Sequence, residues 1–376
     1  MAYPRGLPPA DREAPASLAD MLARQTQAIE GLRERVAQID ERLRGEARVL
    51  AAERDAARDE ADKRGHEVAR LQAELDAHRR RSLRSRFSPK LGVLYQHPPR
   101  PMEIPARYRE RPAPAAWPRI SIVIATRNQG DFIERTLASL FDQDYPSLEL
   151  LVQDGGSDDQ TLSILTAHRA RLAHFESGPD GGQAQALNRG FHHANGDVLA
   201  YLNSDDLLLP GALHHVGKCF AENPDIDVVY GHRVVIDEDG NEIGRWVLPA
   251  HDADALTWAD YIPQETLFWR RGIWENVGGR IDESYCFAMD WDLLLRFQER
   301  GARLARLPRF LGAFRIHRRS KTAAEMAGTG QREMDRLRER CHGRKVSQVE
   351  ALRRVRGYLF RHLVLHKLWR LGLVRY

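Results

Sequence analysis

The sequence predicts an α/β domain built on a mostly parallel sheet, preceded by a coiled-coil helix and followed by a basic helical tail. Three observations carry that prediction: heptads near the N-terminus, a proline-rich stretch that ends them, and beyond it an alternation of short apolar runs with helical segments. The expected organisation is a disordered N-terminus (1–17), a coiled coil (18–87), a Pro-rich linker (88–118), the α/β domain (119–322) and the tail (323–376).

The heptads run through Leu18, Leu22, Gln25, Ile29, Leu32, Val36, Ile39 and Leu43, spaced alternately by four and three. Leu22, Ile29, Val36 and Leu43 take position a. β-Branched residues there favour a parallel dimer, so a homo-oligomer is expected. After Leu43 the same register would bury Glu46, Glu53 and Arg64, and the seam weakens. Between Ser88 and Pro118 prolines recur at 89, 98, 99, 101, 105, 112, 114 and 118, which stops the helix and predicts a semi-extended connection.

Next come the strand Ile120–Ala125, a helix around Phe132–Phe141, the strand Leu148–Gln153, helices around Thr161–Arg171 and Gln183–Ala194, and the strand Val198–Leu202. Continuously apolar strands between helices read as βαβ units covered on both faces. The chain carries 57 Lys+Arg against 53 Asp+Glu, net +4. Seven of those bases, and no acid, fall in 351–376, leaving 50 bases against 53 acids upstream. A general nucleic-acid surface is therefore not expected. The tail mixes its bases with Leu, Val, Phe, Trp and Tyr, which suits either peripheral contact with an anionic membrane or packing on the domain. Three scattered cysteines build no disulfide framework, and no apolar run of transmembrane length or signal core is present. A cytoplasmic protein, peripheral at the inner face of the membrane, is the expectation.

In parallel α/β sheets ligands bind beyond the carboxyl ends of the strands. Those ends read Thr126-Arg127-Asn128, Asp154-Gly155-Gly156-Ser157-Asp158-Asp159 and Asn203-Ser204-Asp205-Asp206. Asp154, between an apolar strand and two glycines, is placed to accept from a base or sugar, or else to form an Asx turn. Asp158 and Asp159 read as helix caps. Adjacent carboxylates at Asp205 and Asp206 call for positive charge, and a divalent cation holding a diphosphate supplies it.

The run Ile120–Asp159, the segment Glu176-Ser-Gly-Pro-Asp-Gly-Gly-Gln183 and the stretch Gly196–Asp206 closely resemble family 2 glycosyltransferases of the GT-A fold, of the bacterial surface-polysaccharide type. The resemblance spans about Arg119 to Thr322 and leaves out the coiled coil and the tail. It implies that Thr126, Arg127 and Asn128 line a nucleotide pocket, that Asp154 accepts from the base, and that Asp205 and Asp206 form a DxD-like metal element. That element begins with Asn203, where many relatives have Asp. Asp180 and Gln183, with Asn188 and Arg189 just beyond, match the segment that contacts the donor sugar and ribose.

Phe287-Ala-Met-Asp290-Trp-Asp-Leu-Leu-Leu-Arg296 resembles the segment supplying the catalytic base, often Glu-Asp in relatives. Met289 stands in place of the Glu, which leaves Asp290 as the candidate, with Asp292 a rival on another helix face. Ile262–Arg270 resembles the acceptor-side loop, with Gln264 and Trp269 as sugar contacts. Phe314–Lys321 resembles the stretch that closes over the diphosphate, with His317 as a metal or phosphate ligand and Arg318 or Lys321 as its charge partner.

The resemblance thus implies an inverting glycosyltransferase dependent on Mg²⁺ or Mn²⁺, moving a sugar from a nucleoside diphosphate sugar to a hydroxyl of a glycan or lipid-linked saccharide. Nucleotidyl transfer would favour a Gly- and Lys/Arg-rich loop after the first strand, which Thr126–Gly130 does not provide. A coiled-coil scaffold carrying a non-catalytic nucleotide-sugar-binding domain is the other alternative.

Overall fold

The computed structural model describes residues 41, 42, 45, 88–112, 114, 116–317, 320 and 326–376. The chain divides into two compact units, Met1–Arg64 and Gly65–Tyr376, and the second carries the sheet. Residues 41, 42 and 45 are helical, and the rest of the coiled coil expected over 18–87 lies outside the described residues.

One nine-stranded sheet contains β1 (Ile120–Thr126), β2 (Leu148–Asp154), β3 (His174–Ser177), β4 (Val198–Tyr201), β5 (Leu207–Leu208), β6 (Val228–Ile236), β7 (Glu242–Trp246), β8 (Phe268–Arg270) and β9 (Leu304–Arg315). The strand order is β3-β2-β1-β4-β8-β6-β9-β5, with β7 paired to β6. From β3 to β4 every pairing is parallel. The expected mostly parallel sheet holds over that half, and in the other half β6 and β9 form a further parallel pair. β8 runs antiparallel between β4 and β6, and β5 and β7 are antiparallel to β9 and β6. β8 is reached through the short turn Gln264–Thr266, and an antiparallel strand needs no crossover helix.

The helices are α1 (Ile133–Phe141), α2 (Thr161–Ala167), α3 (Gln183–His192), α4 (Ala212–Glu222), α5 (Ala253–Trp258), α6 (Arg271–Asn276), α7 (Met289–Glu299), α8 (Gln331–His342), α9 (Gln348–Arg354) and α10 (Arg356–Arg370). Alternate residues of β1 face opposite layers. Ile120, Ile122 and Ile124 pack with Ile133 and Leu137 of α1 and Val216 of α4, whereas Val123 and Ala125 pack with Ala186 and Leu187 of α3. Each fully buried Ile or Leu in these layers stabilises the fold by about 2 kcal/mol. The layers hold β1, β2 and β4 parallel, and their carboxyl ends share one edge.

The segment expected as a linker is extended but docked. Arg100 bridges to Glu242 of β7, and Tyr108 is buried with the Arg309 guanidinium 3.9 Å from its ring centre. The tail packs as well: Tyr358 lies 4.2 Å from Tyr261 between ring centres, and His342 stacks on Trp258 at 3.6 Å. Buried His362 donates from Nδ1 to the Val247 carbonyl (2.8 Å) and accepts at Nε2 from the Lys90 N–H (3.1 Å). The opposite face of the tail leaves Phe360, Val364, Leu371 and Leu373 exposed among its bases. Among the described residues no helix is long and apolar enough to cross a membrane.

Candidate active site

Two cavities of about 280 Å³ each open at the strand-end edge, and both are bordered by Gln183, Asn203 and Phe314. The first is lined by Thr126, Arg127, Asp180, Gln183, Asn203 and Asp205, so six of the residues expected at a donor site come together there. β1 delivers Thr126, the turn after β4 delivers Asn203 and Asp205, and the start of α3 delivers Gln183, whose Nε2 donates to Asn203 Oδ1 (2.7 Å). The loop carrying Asp180 approaches β2 closely because position 155 is glycine. A Cβ there would sit 2.7 Å from Asp180 Oδ2.

Asn128 and Asp154 do not line this cavity; they brace the loops behind it. Asn128 adopts a left-handed backbone (φ 53°), accepts the Asp158 N–H on Oδ1 (3.0 Å) and donates its own N–H to Ser157 Oγ (2.8 Å). Buried Asp154 accepts from the Ser157 N–H (3.0 Å), the Ser157 hydroxyl and the Ser177 hydroxyl (2.6 Å).

Asp205 Oδ2 lies 2.7 Å from His317 Nε2, and the His317 ring packs 4.4 Å from Phe132. Asp206 differs from the expectation of a metal ligand beside Asp205. It is buried, Oδ1 accepts the Arg315 N–H (2.9 Å), Oδ2 accepts from Asn203 Nδ2 (3.3 Å), and it borders the second cavity. Burial, then the charges of Asp205 and Glu265, push the Asp206 carboxyl well above its usual range, opposed by the Arg315 N–H and Arg233. The remaining donor set, a carboxylate, an amide carbonyl at Asn203 and an imidazole, fits a hard-to-borderline divalent cation. Arg318 and Lys321 lie outside the described residues.

The second cavity presents Asp290 and Asp260, with Arg233, Gln264 and several aromatic side chains around them. Asp290 stands in the first turn of α7 and its Oδ1 accepts the Trp291 N–H (2.9 Å); the helix cap is Ala288, not Asp290. Glu333 of α8 replaces the missing cap side chain by accepting from the N–H groups of Cys286, Phe287 and Ala288 at 2.9, 2.8 and 2.9 Å. Asp292 is fully buried and held by Arg296 (2.8 Å) and Arg340 (2.5 Å), which removes it as a rival base.

Gln264 borders this cavity and donates to the Tyr201 carbonyl (2.7 Å). Trp269 does not meet the expectation of a sugar contact. It sits on β8 inside the sheet, fully buried against Phe191, Trp274 and Phe297, with no surface to offer.

Sequence reasoning missed Asp260, Arg233, Glu265 and Glu333. Arg233 Nε and Nη2 grip the buried Glu265 carboxylate at 2.7 and 2.5 Å, and the guanidinium lies between the rings of Trp246 and Phe314 (4.7 and 4.4 Å). Asp260 is reached by water from the cavity, yet the protein packed around it and the Asp290 charge hold its carboxyl well above the usual range. Arg233 and the Ile262 N–H oppose that shift. The one sequence signal for this group is an acid two residues before Ile262-Pro-Gln-Glu.

The family model described as "Glycosyl transferase family 2" matches residues 121–279. A PGL/p-HBAD biosynthesis glycosyltransferase of Mycobacterium tuberculosis is 33% identical over 185 residues, covering 48% of this chain and 70% of that protein. The O-antigen biosynthesis protein RfbC of Myxococcus xanthus is 30% identical over 187 residues, covering 48% of this chain and 14% of its own length. Among solved structures, S. aureus TarS 1–349 in complex with UDP-GlcNAc shares the fold at a TM-score of 0.50 and 18% identity, covering 68% of this chain and 76% of that one. With the strand-end cavities built as they are, these likenesses make the chain a member of glycosyl transferase family 2, and the enzyme a glycosyltransferase.

Proposed function

We propose that the protein is an inverting, divalent-metal-dependent glycosyltransferase that moves a sugar from a nucleoside diphosphate sugar to a hydroxyl of a glycan or lipid-linked saccharide. The observation that carries this reading is the pair of adjoining cavities, one bordered by Asp205 and the other by Asp290, meeting at Gln183, Asn203 and Phe314. A donor in the first cavity and an acceptor in the second would bring the anomeric carbon and the hydroxyl together at that junction.

Asp205 and His317, with the Asn203 carbonyl, would hold Mg²⁺ or Mn²⁺, which when bound offsets the charge of the leaving diphosphate. Arg318 and Lys321 are proposed to add charge there. Asp180 and Gln183 orient the donor sugar, while Asp154 and Asn128 act on the nucleotide through the loops they brace. Asp290 takes the proton of the acceptor hydroxyl as its oxygen bonds to the anomeric carbon. The bond from that carbon to the diphosphate oxygen breaks with its electron pair leaving on the diphosphate. Attack from the face opposite the leaving group inverts the anomeric centre.

The coiled coil is proposed to join copies of the chain and raise the local concentration of sites on a shared acceptor. The exposed apolar residues of α10 and its end, flanked by Arg356, Lys367 and Arg370, support peripheral contact with an anionic cytoplasmic leaflet. The direct test is turnover of a panel of nucleotide sugars with Mn²⁺ or Mg²⁺. Metal-dependent release of nucleoside diphosphate that vanishes in Asp205→Ala is expected, and full activity in that variant would refute the assignment.

A further inference from the structure

The cavity beside Asp290 is completed by residues outside the matched family segment, Leu94 and Gly92 on the N-terminal side and Met334 of α8 on the other. Leu94 belongs to a strap fixed at several points. The Gln96 N–H donates to the Ile243 carbonyl (2.8 Å), and Gln96 Nε2 donates to the carbonyls of Arg245 (2.9 Å) and Val93 (3.1 Å). Trp246 Nε1 donates to the Val93 carbonyl (3.1 Å), and His362 secures Lys90. The strap can lie this close to β7 only because position 244 is glycine: a Cβ there would be 2.7 Å from the Leu94 carbonyl oxygen.

The wall so formed is mainly apolar, with the Arg233 guanidinium between Trp246 and Phe314. Leu94, Trp246, Phe287, Phe314 and Met334 are each only partly buried and border the cavity that also presents Asp260 and Asp290. A sugar alone would engage the carboxylates and, among the described residues, leave much of this wall uncovered; an apolar group attached to the sugar would cover it.

We propose that this cavity takes a glycoside with an apolar aglycone, its sugar at Asp290 and Asp260 and its aglycone against the wall formed by Leu94 and Met334. The inference rests on the reading of this cavity as the acceptor site and narrows the acceptor class. Leu94 and Met334 are then specificity-determining residues supplied from outside the family domain.

The test is calorimetric titration of the full-length protein with paired octyl and methyl glycosides of glucose, galactose and mannose, below the octyl micelle threshold. For at least one sugar the octyl glycoside should bind at least about tenfold more tightly, the worth of about two buried methylenes. Leu94→Glu and Met334→Glu should each erase that advantage, and Gly244→Val, which displaces the strap without touching a cavity side chain, should do the same. Thermal melting checks that each variant is folded, and Leu94→Ala replaces any that is not, with the advantage expected to shrink severalfold. Equal binding of octyl and methyl glycosides, undetectable binding of both included, overturns the proposal, as does an octyl advantage that survives the wall variants. Metal-dependent release of nucleoside diphosphate from the donor reports separately on the catalytic assignment: with release intact and no octyl preference, only the aglycone site fails.

Discussion

The two halves of the catalytic unit are assembled differently. The half proposed to take the donor, β3-β2-β1-β4, is parallel, and its cavity is bordered by residues that end strands, lie in the turns after them or open a helix: Thr126, Arg127, Asn203, Asp205 and Gln183. The half proposed to take the acceptor is mixed, and its cavity gathers Leu94, Arg233, Asp260, Asp290 and Met334 from segments that span most of the described chain. Parallel βαβ units return successive strand ends to one edge, so short motifs suffice there. Antiparallel pairing and docked terminal segments allow the other half to be rebuilt from distant pieces. On the proposed assignment, the nucleotide side is held by common architecture, and the acceptor side is where this chain would set its own selectivity.

The largest expected effect separates the halves by function. Asp290→Asn should lower turnover by about 10³-fold while leaving nucleotide affinity unchanged, within the range for loss of a general base. Comparable turnover in the variant, measured by release of nucleoside diphosphate in the presence of acceptor, would remove Asp290 from the chemistry. Next is the ion pair beneath the acceptor cavity. Arg233→Met leaves the buried Glu265 carboxylate without its partner, and a loss of about 4 kcal/mol in chemical denaturation is expected; Arg233→Met with Glu265→Gln should recover part of it.

A third effect concerns the tail. Burial holds the His362 imidazole down at about 4, against a raising contribution from its bond to the Val247 carbonyl. His366 is held down at about 3 by burial and by His362, Arg370, Lys90 and Lys367. Both folded values lie below the ordinary histidine value of 6.5, so the unfolded chain binds more protons between 6.5 and those values. Stability is therefore full above pH 6.5 and falls as pH drops towards 4, by about 3 kcal/mol for His362 alone. His362→Gln should flatten that slope in denaturation curves across this window; an unchanged slope would show that this histidine is not held neutral.

Smaller effects test the supports of each half. Glu333→Gln weakens the cap on α7 and should lower stability by about 2 kcal/mol and turnover with it, since Asp290 rides on that turn. A variant with wild-type melting and activity would show that α7 holds its start unaided. On the donor side, Gly155→Ala pushes against the Asp180 carboxylate, whose end can swing. A rise of about threefold in donor KM with little change in kcat is expected, of the order of one weakened hydrogen bond.

The parallel half was largely legible in the sequence because its information is local. An apolar run followed by polar residues marks a strand end, and the strands Ile120–Thr126, Leu148–Asp154 and Val198–Tyr201 fall where such runs lie. Asp154 shows the limit of that reading. A carboxylate before two glycines looks the same in sequence whether it faces a ligand or accepts from Ser157 and Ser177, and Ser177 reaches it through the pairing of β2 with β3. Trp269 resembled a loop aromatic until β8 took its place between β4 and β6, where both faces are covered. Glu333 and Leu94 carry no local pattern at all, and Asp260 only its place two residues before Ile262, since their roles arise from packing between segments far apart in the chain. The proline-rich segment was expected as a semi-extended connection, but its docking on β7 depends on Gly244 and Trp246, which no count of prolines reveals.

The central claim is that binding of the nucleotide and activation of the acceptor reside in two adjoining cavities. It is tested most directly by measuring Mn²⁺-dependent nucleoside diphosphate binding and sugar transfer side by side in Asp205→Ala and Asp290→Asn. The first variant should lose at least tenfold in nucleotide affinity, and the second should bind nucleotide as the parent does while transfer falls by about 10³-fold. Equal loss of binding in both variants, or transfer that persists in Asp290→Asn, would contradict the division.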